Sequence, residues 1–416
     1  MTLTTSFSEQ LAEIVGADNV VTEGEALVKQ SRDYYWYSPV LKERMDGMKA
    51  DLIVKVGSLE ELKAVVKACV AEKVPVTCKG GATGNYGQII PVHGGVLLDL
   101  NRMDKIFDLD GVVRCEPGAK MREIEEEARK QGWELRCMPS TWVNCSMGGF
   151  LMGGSGGIGS IAYGGIAHGD NIKSLTLLSV EAEPRLIKLE GDDCHRALHT
   201  YGTNGILVEL EMRLAPKKDW KQVIATHPDW DHFLDWNYEL AVDRGVFKRL
   251  ISMHEWPIPS FFKAIKKFLP EGKHASLLMI DPETMPAFDV LAAKGGIEVT
   301  HVSDFTFPQS ATYLTNFTWN HTTLWALKTD PTLTYLQVGF AENFREQMKL
   351  LKARFPGQID YHLELVLSNE KMGDAGDSVS VGGLPIVYYR DKATLQAILD
   401  YCAEINVFVA NPHTYV

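Results

Sequence analysis

No Cys-x-x-Cys pair occurs among the seven cysteines of this 416-residue sequence. That scatter fits neither a disulfide framework nor an iron–sulfur or zinc ligand set. The cysteines are therefore expected as reduced core residues in a cytoplasmic compartment. Positive charge is also short. Lys and Arg number 42 against 54 Asp and Glu, a formal net charge of −12. A nucleic-acid partner needs a basic stripe, so none is expected, whereas an anionic small substrate needs only a local basic group. No apolar run reaches the ~18 residues of a membrane span. The stretch Met1 to Phe7 lacks the basic and apolar segments of a secretory leader, and none is expected. Internal repeats are absent. The acidic loop Gly373–Asp377 lacks the spacing of a calcium-binding loop and reads as a surface turn. Apolar residues at 45% and charged residues at 23% are ordinary for a globular chain of about two domains.

Glycine is what the chain has in concentrated form. A short apolar run, Val74 to Cys78, reads as a buried strand. It ends in Lys79-Gly80-Gly81-Ala82-Thr83-Gly84-Asn85-Tyr86-Gly87-Gln88. Such a loop can turn several backbone N–H groups to one side and admit an anion, and diphosphate is the obvious guest. An ordinary tight turn is the competing reading. The loop is not a Walker A motif, because no Gly-Lys-Ser/Thr follows at the required spacing. It runs on into another apolar run, Val96–Leu100, so no helix opens there as a dinucleotide fingerprint requires. The loop joins two strands and must bind through its own backbone. Leu52–Val56 is expected as a strand, and Ser58 with Glu61 as a capping box opening a helix. Further strands are expected at 112–115, 172–180 and 206–214, with a charged helix at 120–131. Ser31 to Met48, rich in Tyr, Trp and charge, reads as a surface connection.

A second region places seven glycines between 148 and 159, interleaved with Met147, Phe150, Leu151, Met152 and Ile158. Flexible linkers lack large apolar residues, so this segment reads as packed, with something flat close to its backbone. After Pro216 glycine thins and aromatics increase, and a domain boundary is expected near 217. Seven of the 31 residues from 305 to 335 are Phe, Trp or Tyr, as a second core or a pocket wall. Strands are expected at 276–280, 297–302, 333–340 and 359–366, and helices at 260–268, 284–293, 342–354 and 391–404.

The N-terminal pieces resemble, in order, the FAD-binding oxidoreductases of the vanillyl-alcohol oxidase and p-cresol methylhydroxylase type. They are Asp51–Val56, Ser58–Leu62, Gly80–Gly84 with Gly87-Gln88, Gly94–Met103, Glu116–Gly118, Pro139-Ser140, Ser146–Gly149, Gly153–Gly157, Tyr163-Gly164 and Gly205-Ile206. The resemblance covers roughly residues 10–216. It implies an α+β fold: a two-subdomain FAD-binding domain over 1–216, an α+β cap with an antiparallel sheet over 217–395, and a C-terminal segment, 396–416, returning to the first domain. It also implies FAD held by the amides of Lys79, Gly80, Gly81, Ala82, Thr83 and Gly84. Gln88, Pro139, Ser140, Ser146, Gly148, Gly149, Gly153, Gly156, Ser160 and Tyr163 would lie on the same cofactor, with Gly205 and Ile206 near the adenine. Some relatives attach the flavin through a histidine in the phosphate loop. This loop has none, His93 lies beyond it and His168 nearer the second region, so non-covalent FAD is expected.

The metal-binding glycine-aspartate-glycine-asparagine-x-histidine segment of the family's hydroxy-acid dehydrogenases is missing, and no metal is expected. Flavin oxidation of a C–H beside O–H needs a base for the hydroxyl proton. His362 and Glu364 share one face of a strand and could be base and orienter, or an edge pair facing solvent. His321 is the second base candidate. Lys328 and Arg390 could clamp a carboxylate, Tyr335 shares a face with Gln337, and His413 could approach the flavin or pack at the domain junction. The resemblance implies an FAD-dependent oxidase or dehydrogenase. It would oxidise a small alcohol, 2-hydroxy acid or aromatic alcohol by hydride transfer to flavin N5, then be reoxidised by oxygen or a separate carrier. A homodimer is left open. A non-catalytic FAD-binding subunit of an electron-transfer complex, or reductase or lyase chemistry in the same pocket, are the alternatives. Acid-denatured protein is expected to release its flavin into the supernatant, and yellow colour retained in the pellet would refute non-covalent binding.

Overall fold

The computed structural model describes residues 5–169, 171–306, 312–368 and 378–414. The acidic loop Gly373–Asp377 lies outside them. A first sheet places three parallel strands side by side, Leu52–Lys55, Val96–Asp99 and Val76–Lys79, with Val20–Val21 antiparallel at one edge. Helix Leu59–Ala71 makes the first crossover. Ser58 Oγ accepts the Glu61 N–H at 3.2 Å, and the Glu61 carboxylate accepts the Gly57 N–H at 2.8 Å. This closes the helix start as the Ser58–Glu61 spacing predicts. The stripe Leu62, Val65, Val66 and Cys69 buries against Val54 and Leu98. Parallel neighbours are usually joined through a helix. Here residues 80–95 connect Val76–Lys79 to Val96–Asp99 with none, so the glycine loop sits at the carboxyl end of its strand.

A second, antiparallel sheet runs Ile106–Asp108, Val112–Cys115, Ile206–Pro216, Ile172–Leu178, Leu186–Glu190, and Trp133–Leu135 pairs with the far end of the long central strand. Helix Met121–Lys130 packs Met121, Ile124 and Ala128 beneath it.

The third sheet has eight antiparallel strands in the spatial order Glu298–Asp304, Lys221–His227, His274–Ile280, Lys248–His254, His362–Leu367, Val379–Gly383, Val338–Gly339, Phe408–Val409. Strand side chains alternate between faces. Ile251, Met253, Leu278, Ile280, Leu363 and Leu365 face one core with helices Trp230–Val242, Met285–Lys294, Phe344–Arg354 and Lys392–Glu404. Ser252, His254, His362 and Glu364 occupy the opposite face.

Several expectations are corrected. The helix expected at 260–268 is two 3-10 turns, Ile258–Phe261 and Lys263–Phe268. The strand expected at 333–340 breaks after Tyr335. Tyr335 pairs with Ile386 in a separate three-stranded sheet, whereas Val338 pairs with Gly383 in the eight-stranded one. The C-terminal segment expected from 396 begins inside helix Lys392–Glu404, which packs on the eight-stranded sheet. Ser31 to Met48 is no surface drape. Tyr35, Tyr37, Leu41 and Met45 are buried, Thr334 Oγ1 donates to Tyr37 O at 2.8 Å, and Tyr34 N donates to Gly84 O at 2.9 Å. The aromatics are used to fill the space between the glycine loop and the later strands.

The two halves are pinned by buried charge. Arg249 on strand Lys248–His254, Glu125 on helix Met121–Lys130 and Glu134 on strand Trp133–Leu135 are all 0% exposed. Arg249 Nη1 lies 3.3 Å from Glu134 and 4.0 Å from Glu125, its Nη2 donates to Leu135 O at 2.6 Å, and Arg129 adds a contact of 2.8 Å to Glu134. Trp220 Nε1 donates to Glu134 at 3.0 Å. Removing one partner of a buried pair leaves an uncompensated charge, at a cost of about 3–5 kcal/mol. Glu134→Leu is expected to lose about that much stability in urea unfolding; an unchanged midpoint would show that the network holds nothing together.

Candidate functional site

The two glycine-rich segments, 70 residues apart in the chain, line one cleft holding ≈ 1220 Å³ of empty space out to its mouth. The loop Lys79–Gly84 forms one wall. The helix Met147–Gly153 and the turn to Gly156 form the other. Glycine is required here by proximity more than by backbone angle. A Cβ on Gly81 would lie 2.5 Å from Asn144 O, and one on Gly80 2.3 Å from Ser146 Oγ. Left-handed backbone falls instead on Ala82, φ 54°, a conformation that costs a non-glycine residue about 1–3 kcal/mol. Among the described residues, no acceptor engages the amides of Ala82, Thr83 and Gly84. These are the donors that a diphosphate needs, so the residues present fit FAD.

Of the residues expected on the cofactor, Lys79, Gly80, Gly81, Ala82, Thr83, Gly84, Gln88, Pro139, Gly148, Gly149, Gly153 and Gly156 line the cleft. Lys79 Nζ is bound to Asp99 at 2.8 Å. Others stand one layer behind. Ser146 Oγ caps its helix through Gly149 N at 3.3 Å and accepts Gly81 N–H at 3.1 Å, so it joins the two walls. Ser160 Oγ accepts Gly157 N–H at 2.9 Å, and Ser140 is buried. Tyr163 packs edge-on against Phe247. Gly205 and Ile206, at the start of the long central strand, do not line the cleft, whereas their neighbours Tyr201, Gly202 and Leu207 do. His199 and Tyr201, joined at 2.8 Å, both carry left-handed backbone and were not legible as lining residues. His93 is exposed, and His168 does not reach the cleft.

Trp319, Asn320 and Gln337 close the far end. Gln337 Nε2 donates to Tyr86 Oη, Asn320 Nδ2 to Asn85 Oδ1 at 3.4 Å, and Asn85 Nδ2 to Tyr335 Oη at 2.8 Å. Tyr335 thus supports this end from behind, its phenol pushed well up by burial. Asn320 Oδ1 is buried with no donor among the described residues. The other expected groups lie elsewhere. Arg390 is exposed, and Lys328 sits over the Trp325 ring at 4.6 Å. His321 is half-buried outside the cleft lining, and burial with nearby Lys328 lowers it to about 4. His413 is at the junction of chain segments, 2.7 Å from Ser38 Oγ and 2.8 Å from Tyr335 O.

His362 and Glu364 do meet on one face, with Nε2 and Oε1 2.9 Å apart. Ser252 Oγ donates to the same oxygen at 2.7 Å, as does Trp319 N at 2.8 Å. His254 stacks on His362 with ring centres 4.7 Å apart, and its Nε2 lies 3.1 Å from Thr322 Oγ1. Ser252 and His254 were missed because their strand is fully buried and carries Lys, Arg, Ser and His, which hides its period. Burial lowers His362 to about 3 and raises Glu364 to about 8, so both are neutral near pH 7. Neither lines the cleft. The expected pairing occurs, and the access a base needs does not.

Residues 50–184 match the family model described as an FAD binding domain. This part of the chain is an FAD-binding domain. D-lactate dehydrogenase of Anaerostipes hadrus is 29% identical over 181 residues, 40% of this chain and 37% of the relative. The glycolate oxidase subunit GlcD of Escherichia coli K12 is 27% identical over 199 residues, 44% of this chain and 40% of the relative. The match therefore spans well under half of either relative. Among solved structures, alkyldihydroxyacetonephosphate synthase aligns with TM-score 0.72 at 17% identity, over 98% of this chain and 82% of that one. p-Cresol methylhydroxylase aligns with TM-score 0.68 at 13% identity, over 98% and 88%. The fold around the FAD-binding domain is thus that of the p-cresol methylhydroxylase type. No helix among the described residues is long and apolar enough to cross a membrane.

The buried Glu364 carboxyl makes a pH signature. The folded protein keeps its proton to about pH 8, whereas the unfolded chain releases it near the ordinary carboxyl value of about 4.3. Between those values the folded state holds this extra proton, so the contribution of Glu364 to stability falls as pH rises and levels off above about 8. Glu364→Gln is expected to flatten that decline in pH-resolved thermal unfolding; an identical slope in both proteins would place the titration elsewhere.

Proposed function

We propose that this protein is an FAD-dependent oxidoreductase that oxidises the hydroxyl-bearing carbon of a small 2-hydroxy acid or alcohol. The observation that carries the reading is the shared cleft. Glycine-walled backbone of the FAD-binding domain forms its length, and Trp319, Asn320 and Gln337 of the later chain form its closed end. FAD held there would supply the acceptor for the two electrons that the substrate loses. The amides of Ala82–Gly84 hold the diphosphate, and Gly149, Gly153 and Gly156 leave room for the rest of the cofactor. Binding is non-covalent.

Asn320 stands at the closed end where the substrate would lie, and Asn85, Tyr335, Tyr86 and Gln337 fix that end through their hydrogen bonds. The D-lactate and glycolate named for the relatives support a 2-hydroxy acid. Arg390 and Lys328 do not clamp its carboxylate, since one is exposed and the other sits on Trp325; neutral donors at the closed end take that role. Electrons leave to oxygen or to a separate carrier.

Anaerobic mixing of the FAD-loaded protein with D-lactate, glycolate, other 2-hydroxy acids and benzylic alcohols tests the proposal. At least one is expected to bleach the oxidised-flavin band. A panel that leaves the band intact would overturn the substrate class.

A further inference from the structure

Trp319 has a left-handed backbone, φ 51° and ψ −136°. For a bulky residue that conformation is strained and persists only where the surroundings over-determine it. The restraint is Glu364. Its Oε1 accepts the Trp319 N–H at 2.8 Å and is itself fixed by Ser252 Oγ–H at 2.7 Å, with His362 Nε2 at 2.9 Å. Glu364 is 2% exposed, Ser252 and His362 0%. A polar group this deeply buried is stable only when hydrogen-bonded, so the anchor does not drift.

On the other side of the same residue, the indole lines the cleft. Its Cη2 lies 3.4 Å from where a Cβ on Gly156 would stand. The ring therefore crosses from the later chain to the glycine wall of the FAD-binding domain. Its Nε1–H is buried and has no acceptor among the described residues. Asn320, the next residue, begins the helix Asn320–Thr329, so the backbone angle at Trp319 also sets where Asn320 sits.

We propose that Glu364 is a positioning residue that acts through Trp319, holding its backbone so that the indole walls the closed end of the cleft. The inference rests on the FAD-cleft reading above. The pair His362–Glu364 thereby acquires a role that needs no opening to the cleft: the imidazole and Ser252 steady the carboxyl, and the carboxyl steadies Trp319.

FAD titration of the purified protein, followed by visible-region circular dichroism of the bound flavin, tests it. A wild-type protein that binds no FAD would sink the cleft reading itself; every other outcome concerns Glu364 alone. Trp319→Ala is expected to change the flavin dichroism and weaken FAD binding about tenfold. Glu364→Leu is expected to reproduce both effects. The double variant is expected to lose less than the two single losses combined, because the indole that Glu364 positions is already gone and only its hold on the backbone before Asn320 remains. Glu364→Gln keeps the Oε1 acceptor and is expected to match the wild type. Should Glu364→Leu fail to fold, Glu364→Asp, which withdraws the carboxyl by one methylene, stands in with the same expectation. Wild-type dichroism in the folded Leu or Asp variant, or a loss of about a hundredfold in the double variant, would overturn the proposal.

Discussion

Everything near the cleft depends on one buried electrostatic knot. Arg249 belongs to the eight-stranded sheet, and Glu125 and Glu134 belong to the FAD-binding half. Buried ions are tolerated only when each is paired and hydrogen-bonded, so this strand has one acceptable depth and angle against the first half. Gly159 N donates to Arg249 O at 2.9 Å, which fastens the end of the second glycine segment to the same strand. Three residues further along stands Ser252, and two beyond that His254. The knot thus sets both the far wall of the cleft and the polar cluster behind it.

From that fixed frame, the cleft is made by subtraction of side chains. Gly80 and Gly81 let one loop touch the segment Asn144–Ser146, and the Ser146 hydroxyl bonds both walls. Charge inside the cleft is muted, since Lys79 is held by Asp99. What remains toward a ligand is backbone amide along its length and neutral side-chain polarity at its end. That division suits a cofactor bound through main chain and a substrate chosen by hydrogen bonding.

The first half was legible because its requirements are local. A capping box, a run of β-branched residues and a glycine cluster each announce themselves within a few positions, and Ser58 read correctly as a helix cap and Val96–Asp99 as a strand. Their meaning was only half legible: Gly80 and Gly81 look like residues chosen for backbone freedom, but the constraint is the neighbouring chain, which only the fold brings near. The later half resisted for a different reason. Strand Lys248–His254 is buried on both faces, so alternation is absent and its Lys, Arg, Ser and His look like surface. His362 and Glu364 read correctly as sharing a face, because period two is exact in a strand. Whether that face meets solvent, ligand or protein depends on Trp319, which no spacing rule connects to position 364. Tyr201 and His199 gave no signal at all, since their place follows from turn geometry.

His413 closes the molecule in a way that bears on how such proteins can be rearranged. Its ring bonds Ser38 on one side and Tyr335 on the other, while Thr334 reaches Tyr37. The closed end of the cleft is consequently backed by three separate stretches: the segment around 35–45, Thr334 and Tyr335 of the later chain, and His413. A chimera that grafts a new cover at a single crossover near 217 would keep the old Tyr37 and Ser38 beneath a foreign partner. Recombination between distant relatives should therefore yield working hybrids only when the early segment travels with the late one.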